Sequence, residues 1–164
     1  MKKIFYSITA VLLLISVYSC AGYEPIFNTS KLKFKIEDYS ITGDKIIGKK
    51  IYSRLYSLSR ESEESQNLKN IYILIDTSKE KRITAKDKAG KALGYRLSIV
   101  TKIKIKDINS DIEVLNEILS FSSSYAVQEQ FSETEKSKNK ITENLINKTY
   151  QDLLIKLSEA LLSK

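Results

Sequence analysis

The sequence predicts an α/β (α+β) two-layer sandwich, a four-stranded mixed sheet with two helices packed on one face, in the order β-α-β-β-β-α. Three observations predict it. Several stretches alternate apolar and polar residues at every second position, the mark of a strand with one buried face. Two other stretches repeat apolar residues at intervals of three and four, as one face of a helix does. No repeat or low-complexity tract interrupts this order. Two amphipathic helices and a half-polar sheet can hide their apolar faces only against each other.

The first strand begins at Lys31, with Leu32, Phe34 and Ile36 on one side and Lys31, Lys33, Lys35 and Glu37 on the other. A helix follows from about Asp44 to Ser65, with Ile47, Ile51, Leu55 and Leu58 on one face and Thr42 or Asp44 as its cap. Tyr52 and Tyr56 flank that stripe and read as residues at the core's edge. The helix dissolves into the solvated run Glu61-Ser62-Glu63-Glu64-Ser65-Gln66-Asn67. Ile71-Tyr72-Ile73-Leu74-Ile75 is apolar on both faces, as a central strand is, and its pattern continues weakly to Ile83 and Ala85.

Lys88-Ala89-Gly90-Lys91 supplies the glycine of a hairpin turn. The return strand puts Leu93, Tyr95, Leu97, Ile99, Thr101, Ile103 and Ile105 on one face. Arg96, Ser98, Lys102, Lys104 and Lys106 fall on the other. After a turn at Asp107 to Asp111, a third long strand runs from about Ile112 to Val127. Its apolar phase shifts between Val114 and Phe121, which predicts a bulge near Ile118. Ser132-Glu133-Thr134-Glu135 fits a capping box opening the last helix. The apolar stripe of that helix runs from Ile141 to Leu161, and its polar first turns are expected to project beyond the sheet.

Ahead of this domain, Lys2 and Lys3 precede a charge-free apolar run from Ile4 to Val17, then Ser19 and Cys20, the chain's only cysteine. That is the form of a secretory signal, and the run is short for a membrane-spanning helix. Ending in Val17-Tyr18-Ser19-Cys20, it resembles a bacterial lipobox, in which the cysteine becomes the lipidated first residue. The expected organisation is a signal peptide at 1–19, a lipidated tether at 20–30 and a single α/β domain at 31–164. Ala21, rather than an aspartate, follows the cysteine; in lipoproteins of this kind that favours the outer membrane.

The chain carries 27 basic and 20 acidic residues, a net charge of +7. Losing Lys2 and Lys3 with the signal leaves 25 against 20, about +5. A basic exported domain suits an anionic partner, and export removes nucleic acid from the candidates. With no histidine and one cysteine, Cys/His zinc sites and histidine-based triads are excluded. No aspartate-rich calcium loop and no glycine-rich phosphate loop occurs. No catalytic residue, metal ligand or cofactor is therefore expected. Tyr52, Arg54 and the Glu61–Glu64 run are the one polar cluster an enzyme could use, and at helix spacing they read as a solvated face. The sequons at Asn28 and Asn147 have no use in a bacterial export pathway.

Three segments carry a likeness: Cys20-Ala21-Gly22-Tyr23-Glu24-Pro25, the hairpin from Asp87 to Leu97, and the helix from Glu143-Asn144-Leu145-Ile146-Asn147 to Leu162. With the lipobox, the element order and the element lengths, they resemble the outer-membrane lipopolysaccharide-assembly lipoproteins, small partners of the lipopolysaccharide-inserting β-barrel. The likeness covers nearly the whole chain. It implies a non-enzymatic plug that supports the barrel and contacts lipopolysaccharide. The partners it implies are a large outer-membrane β-barrel, lipopolysaccharide, and membrane lipid through acylated Cys20, at the periplasmic face or in the barrel lumen. Lys88, Lys91 and Arg96 match the family's basic positions and are the implied lipopolysaccharide-binding residues. The alternative is an auxiliary lipoprotein of an ABC-type phospholipid transport system.

Overall fold

A computed structural model describes residues 32–61 and 68–162. The signal segment, Cys20, the tether and the expected end of the first helix beyond Glu61 lie outside the described residues. The elements are β1 (Phe34–Gly43), α1 (Lys45–Glu61), β2 (Lys69–Lys86), β3 (Ala92–Asp107), β4 (Glu113–Ala126) and α2 (Phe131–Leu162). They form one four-stranded sheet in the order β1-β2-β3-β4. β1 and β2 pair in parallel across the α1 crossover, while β2, β3 and β4 form an antiparallel meander. Sheet, helices and order are those the alternation and helical spacing predict.

The alternation decides which face is covered. Ile71, Ile73 and Ile75 of β2 and Ile99, Ile103 and Ile105 of β3 are buried under the helices. Ile47, Ile51 and Leu55 of α1 and Leu145, Leu153 and Leu157 of α2 meet them. Each such side chain contributes about 1.5–3 kcal/mol when fully removed from water. Where the helices meet, Lys50 pairs with Glu143, and the Arg54 guanidinium donates to the Asn147 amide oxygen at 2.6 Å and lies over the Tyr150 ring. That direction takes Arg54 away from Tyr52, which stacks between Tyr39 and Tyr56 at the β1 edge. Of the polar cluster that an enzyme could use, Tyr52 and Arg54 thus turn to different sides of α1, and the side chains of the Glu61–Glu64 run lie outside what is described.

Three local expectations are corrected. β4 keeps one phase throughout, with Leu115, Leu119 and Tyr125 buried and Ile118 64 % exposed on the opposite face. Its register shifts at Val114, where Ile105 pairs with Leu115 but Lys106 with Glu113. The irregularity therefore sits at the strand's start and not at Ile118, whose apolar side chain faces away from the core. The capping box at Ser132 is not the helix start. α2 begins one residue earlier, and the Glu133 and Thr134 N–H groups reach the Gln130 carbonyl at 3.2 and 3.3 Å. Finally, the polar first turns of α2 do not project. Thr134 is buried and its hydroxyl accepts the Gln128 N–H at 2.9 Å, holding the turn against the end of β4.

The β1–α1 junction fixes the position of α1 along the sheet. Gly43 adopts φ 73°, and a Cβ there would stand 1.9 Å from the Thr77 carbonyl oxygen. Asp44 then caps α1, accepting the Ile46 and Ile47 N–H groups at 3.2 Å. Its own N–H donates to the Thr77 carbonyl, and the Thr77 hydroxyl donates to the Asp44 carbonyl, both at 2.7 Å. Of the two expected caps, Asp44 serves; Thr42 instead donates to the Asp76 carboxylate at 2.9 Å.

Two predictions follow from this junction. Gly90 also has positive φ, 82°, but open space around it. Gly90→Ala should therefore cost only the left-handed penalty, about 1–2 kcal/mol, and Gly43→Ala clearly more, in urea denaturation. The Asp44 carboxyl is pushed up by partial burial, but the Ile47 N–H, the Lys79 ammonium and the Ile46 N–H outweigh this and hold it below its ordinary 3.8. With a lowered folded pKa, its stabilisation is present above the unfolded value and lost as pH falls through the folded one. Asp44→Ala should cost about 1 kcal/mol at neutral pH, and the gap from the parent should close as the pH drops below 3.8.

Candidate functional site at the hairpin end

β1 ends opposite Thr77, yet β2 continues to Lys86. Beyond Thr77 the β2 residues are exposed, in the charged run Ser78-Lys79-Glu80-Lys81-Arg82, which suits a strand edge left without a partner. The hairpin closes at Asp87 to Lys91. The Asp87 carboxylate accepts the Ala89 and Lys91 N–H groups at 2.9 and 2.8 Å, and Gly90 supplies the left-handed residue. α1 does not reach this end, and α2 begins here. A cavity of about 370 Å³ opens between the sheet and the first turns of α2.

Lys81, Lys91, Tyr95, Tyr125, Phe131 and Glu135 line it. Tyr95 and Tyr125 are cross-strand partners with ring centroids 5.7 Å apart, and the Lys81 ammonium sits 3.9 Å from the Tyr95 centroid. Such a cation over an aromatic ring is worth about 0.5–1 kcal/mol at an exposed site. Tyr125 is only 7 % exposed, and its buried hydroxyl has no hydrogen-bond partner among the described residues. Burial raises its pKa above the phenol's ordinary 10.0, nearby Lys138 opposes this, and Glu135 and Tyr95 add to it. The phenol therefore stays protonated and able to donate. Phe131, first residue of α2, is 79 % exposed at the cavity's rim.

The three basic residues singled out in the sequence do not converge. Lys91 lines the cavity, Lys88 stands in the exposed turn, and Arg96 lies on the open face of the sheet, opposite Arg82 on β2 and Ser124 on β4. That open face also carries Lys104, 2.5 Å from Glu113, and Lys106, 3.2 Å from Asp111. Sequence reasoning placed Tyr95 and Tyr125 on the apolar face of their strands and left Lys81 and Phe131 unremarked. The signal available was the length mismatch between the first strand and the second. Only pairing shows that β1 stops at Thr77.

No family model matches the sequence, and no curated protein does either. Solved structures do. The solution structure of an uncharacterized lipoprotein B from Nitrosomonas europaea matches with a TM-score of 0.56 at 16% identity, covering 84% of this chain and 91% of that one. The crystal structure of a minor lipoprotein from Acinetobacter baumannii matches at 0.51 and 11% identity, over 76% and 92%. The chain shares their fold. At these identities the shared property is the path of the backbone and the packing of helices on the sheet, with no site residue carried across.

The cavity walls give a prediction about stability alone. An unpaired buried hydroxyl contributes nothing in the folded state and costs its lost hydration, about 1–3 kcal/mol. Tyr125→Phe should therefore leave the thermal midpoint unchanged or raise it, whereas Tyr125→Ala should lower stability by about 3–5 kcal/mol.

Proposed function

We propose that this protein is a non-enzymatic, lipid-anchored outer-membrane lipoprotein that plugs and supports a large lipopolysaccharide-translocating β-barrel and contributes to lipopolysaccharide assembly. One observation carries the reading: the fold is shared with solved lipoproteins, on a chain whose sequence sets a lipobox cysteine, Cys20, ahead of the domain. Anchoring through acylated Cys20 is physically sufficient, because each buried methylene contributes about 0.8 kcal/mol and two or more chains hold stably.

The surface agrees with a wet lumen. The uncovered face of the sheet is mixed, with Lys102, Lys104 and Lys106 along β3 and Ser120, Ser122 and Ser124 along β4 interspersed with Tyr72, Leu74, Val100 and Ile118. Lys88 and Lys91 at the turn present two cations to the phosphates of a glycolipid. Lysine binds phosphate as a mobile point charge, without the paired hydrogen bonds of arginine, so the contact is salt-sensitive.

Affinity purification of the tagged, lipidated protein from outer membranes tests the assignment. Recovery of one large β-barrel in near-equal amount supports it. Recovery of an ATPase complex instead would replace it with a role in phospholipid transport. Separately, Lys88→Glu with Lys91→Glu should weaken binding to lipopolysaccharide vesicles about 30-fold or more at low salt, taking about 1 kcal/mol per lysine beside an anionic surface. The difference should fade near 1 M salt, where screening acts within about 3 Å. Unchanged binding at low salt would remove the turn from the glycolipid site.

A further inference from the structure

The cavity behind the hairpin has a chemistry of its own. Its lining combines two ammonium groups, Lys81 and Lys91, with two carboxylates, Glu129 and Glu135, around the rings of Tyr95, Tyr125 and Phe131. Glu135 is held by Lys138 at 2.6 Å, which leaves one of its oxygens to accept a further hydrogen bond. A hydrocarbon tail has no use for four charged groups, and an inorganic anion has no use for three rings. A sugar ring uses both, because its C–H faces stack on aromatic rings while its hydroxyls pair with carboxylates and ammoniums. The volume lies within the range of small-molecule sites, roughly 300–1,000 Å³.

Two features that folding does not explain find a use in such a site. Buried polar groups are nearly always paired, and one that is not calls for a reason; among the described residues the Thr101 and Tyr125 hydroxyls are unpaired, and Tyr125 is the one of the two that lines the cavity. Phe131, 79 % exposed, is the most exposed large apolar side chain among the described residues, and it stands at the rim of this cavity.

We propose that this cavity binds an acidic sugar, a pyranose carrying a phosphate or carboxylate. The ring lies between Tyr95 and Phe131, the anion faces Lys81 and Lys91, and the Tyr125 hydroxyl donates to a ring substituent. The hydroxyl is enclosed in the free protein, so its donation requires side chains around it to move as the ligand seats. The site requires no barrel, so it stands apart from the plug reading. Acidic pyranoses occur both as soluble sugar phosphates and as glycolipid headgroups.

The test is isothermal titration of the full chain in non-ionic detergent with glucose 1-phosphate, glucose and inorganic phosphate. Glucose 1-phosphate should bind at least about tenfold more tightly than either part alone. Tyr125→Phe should weaken it about tenfold, the scale of one hydrogen bond to an anionic or strongly polar partner, while leaving the thermal midpoint unchanged or higher. Lys81→Gln should weaken it and reduce its salt dependence, with Lys91 supplying what remains. Equal binding of inorganic phosphate would overturn the proposal, as would indifference to Tyr125→Phe. A fall in thermal midpoint for Tyr125→Phe would also overturn it, by showing that the hydroxyl is already paired within the protein. Displacement of bound glucose 1-phosphate by lipopolysaccharide vesicles would assign the natural ligand to a glycolipid headgroup; its absence would assign it to a soluble sugar, and the site stands in either case. A purification that recovers no barrel would end the plug reading and leave these titrations untouched.

Discussion

The exchange of hydrogen bonds between Thr77 and Asp44 sets the geometry of everything above it. Because backbone and side chain both lock β2 to the helix start at 2.7 Å, α1 cannot slide along the sheet. Gly43 permits the sharp exit from β1 by leaving room that any side chain would take from the Thr77 carbonyl. The crossover therefore covers only the lower part of β2. The upper part becomes an edge strand, and a charged edge resists pairing with another chain. α2, with 32 residues against the 17 of α1, walls the cavity with its first turns and spans the rest of the covered face.

Basic charge is thus distributed by the strand alternation and not gathered into one patch. β3 sends Lys102, Lys104 and Lys106 to the open face, where acids of β4 and the adjoining turn answer two of them. Such exposed pairs add little stability, roughly 0–1 kcal/mol each. Their effect is to keep that face hydrated. At the hairpin end the balance differs. Lys81 rests on an aromatic ring and Lys88 and Lys91 belong to a turn whose Asp87 is occupied with backbone N–H groups. Here cations face outward beside apolar rings, which is the combination that recognises anionic ligands with an apolar surface.

The hairpin end is also where the fold accepts costs. Gly90 sits in a left-handed conformation, Phe131 is exposed and the Tyr125 hydroxyl is unpaired. Costs of these kinds occur elsewhere too: Gly43 is left-handed, Ile46 is exposed at the start of α1 and the Thr101 hydroxyl is buried without a partner among the described residues. What sets the hairpin end apart is that exposed Phe131 and unpaired Tyr125 line the same cavity, and departures from local rules are expected at binding sites.

By itself the sequence determined the element order, the mixed four-stranded sheet and the side of each strand that faces the helices. Those are short-range properties: a period of two or of 3.6 survives in a single chain without knowledge of its neighbours. The expected secretory signal and lipidation at Cys20 rest on the sequence alone and lie outside the described residues. What only the tertiary structure decided was relative length and position. Whether β1 runs beside all of β2 or half of it depends on a hydrogen bond between Asp44 and Thr77, 33 residues apart. The phase of β4 was misread because exposed Ile118 is apolar, and the pattern has no way to mark an apolar residue that faces water. Lys91 and Arg96, five positions apart, looked like one basic group and stand on different sides of the sheet, because the pairing of β3 with its neighbours fixes sides that charge alone does not encode.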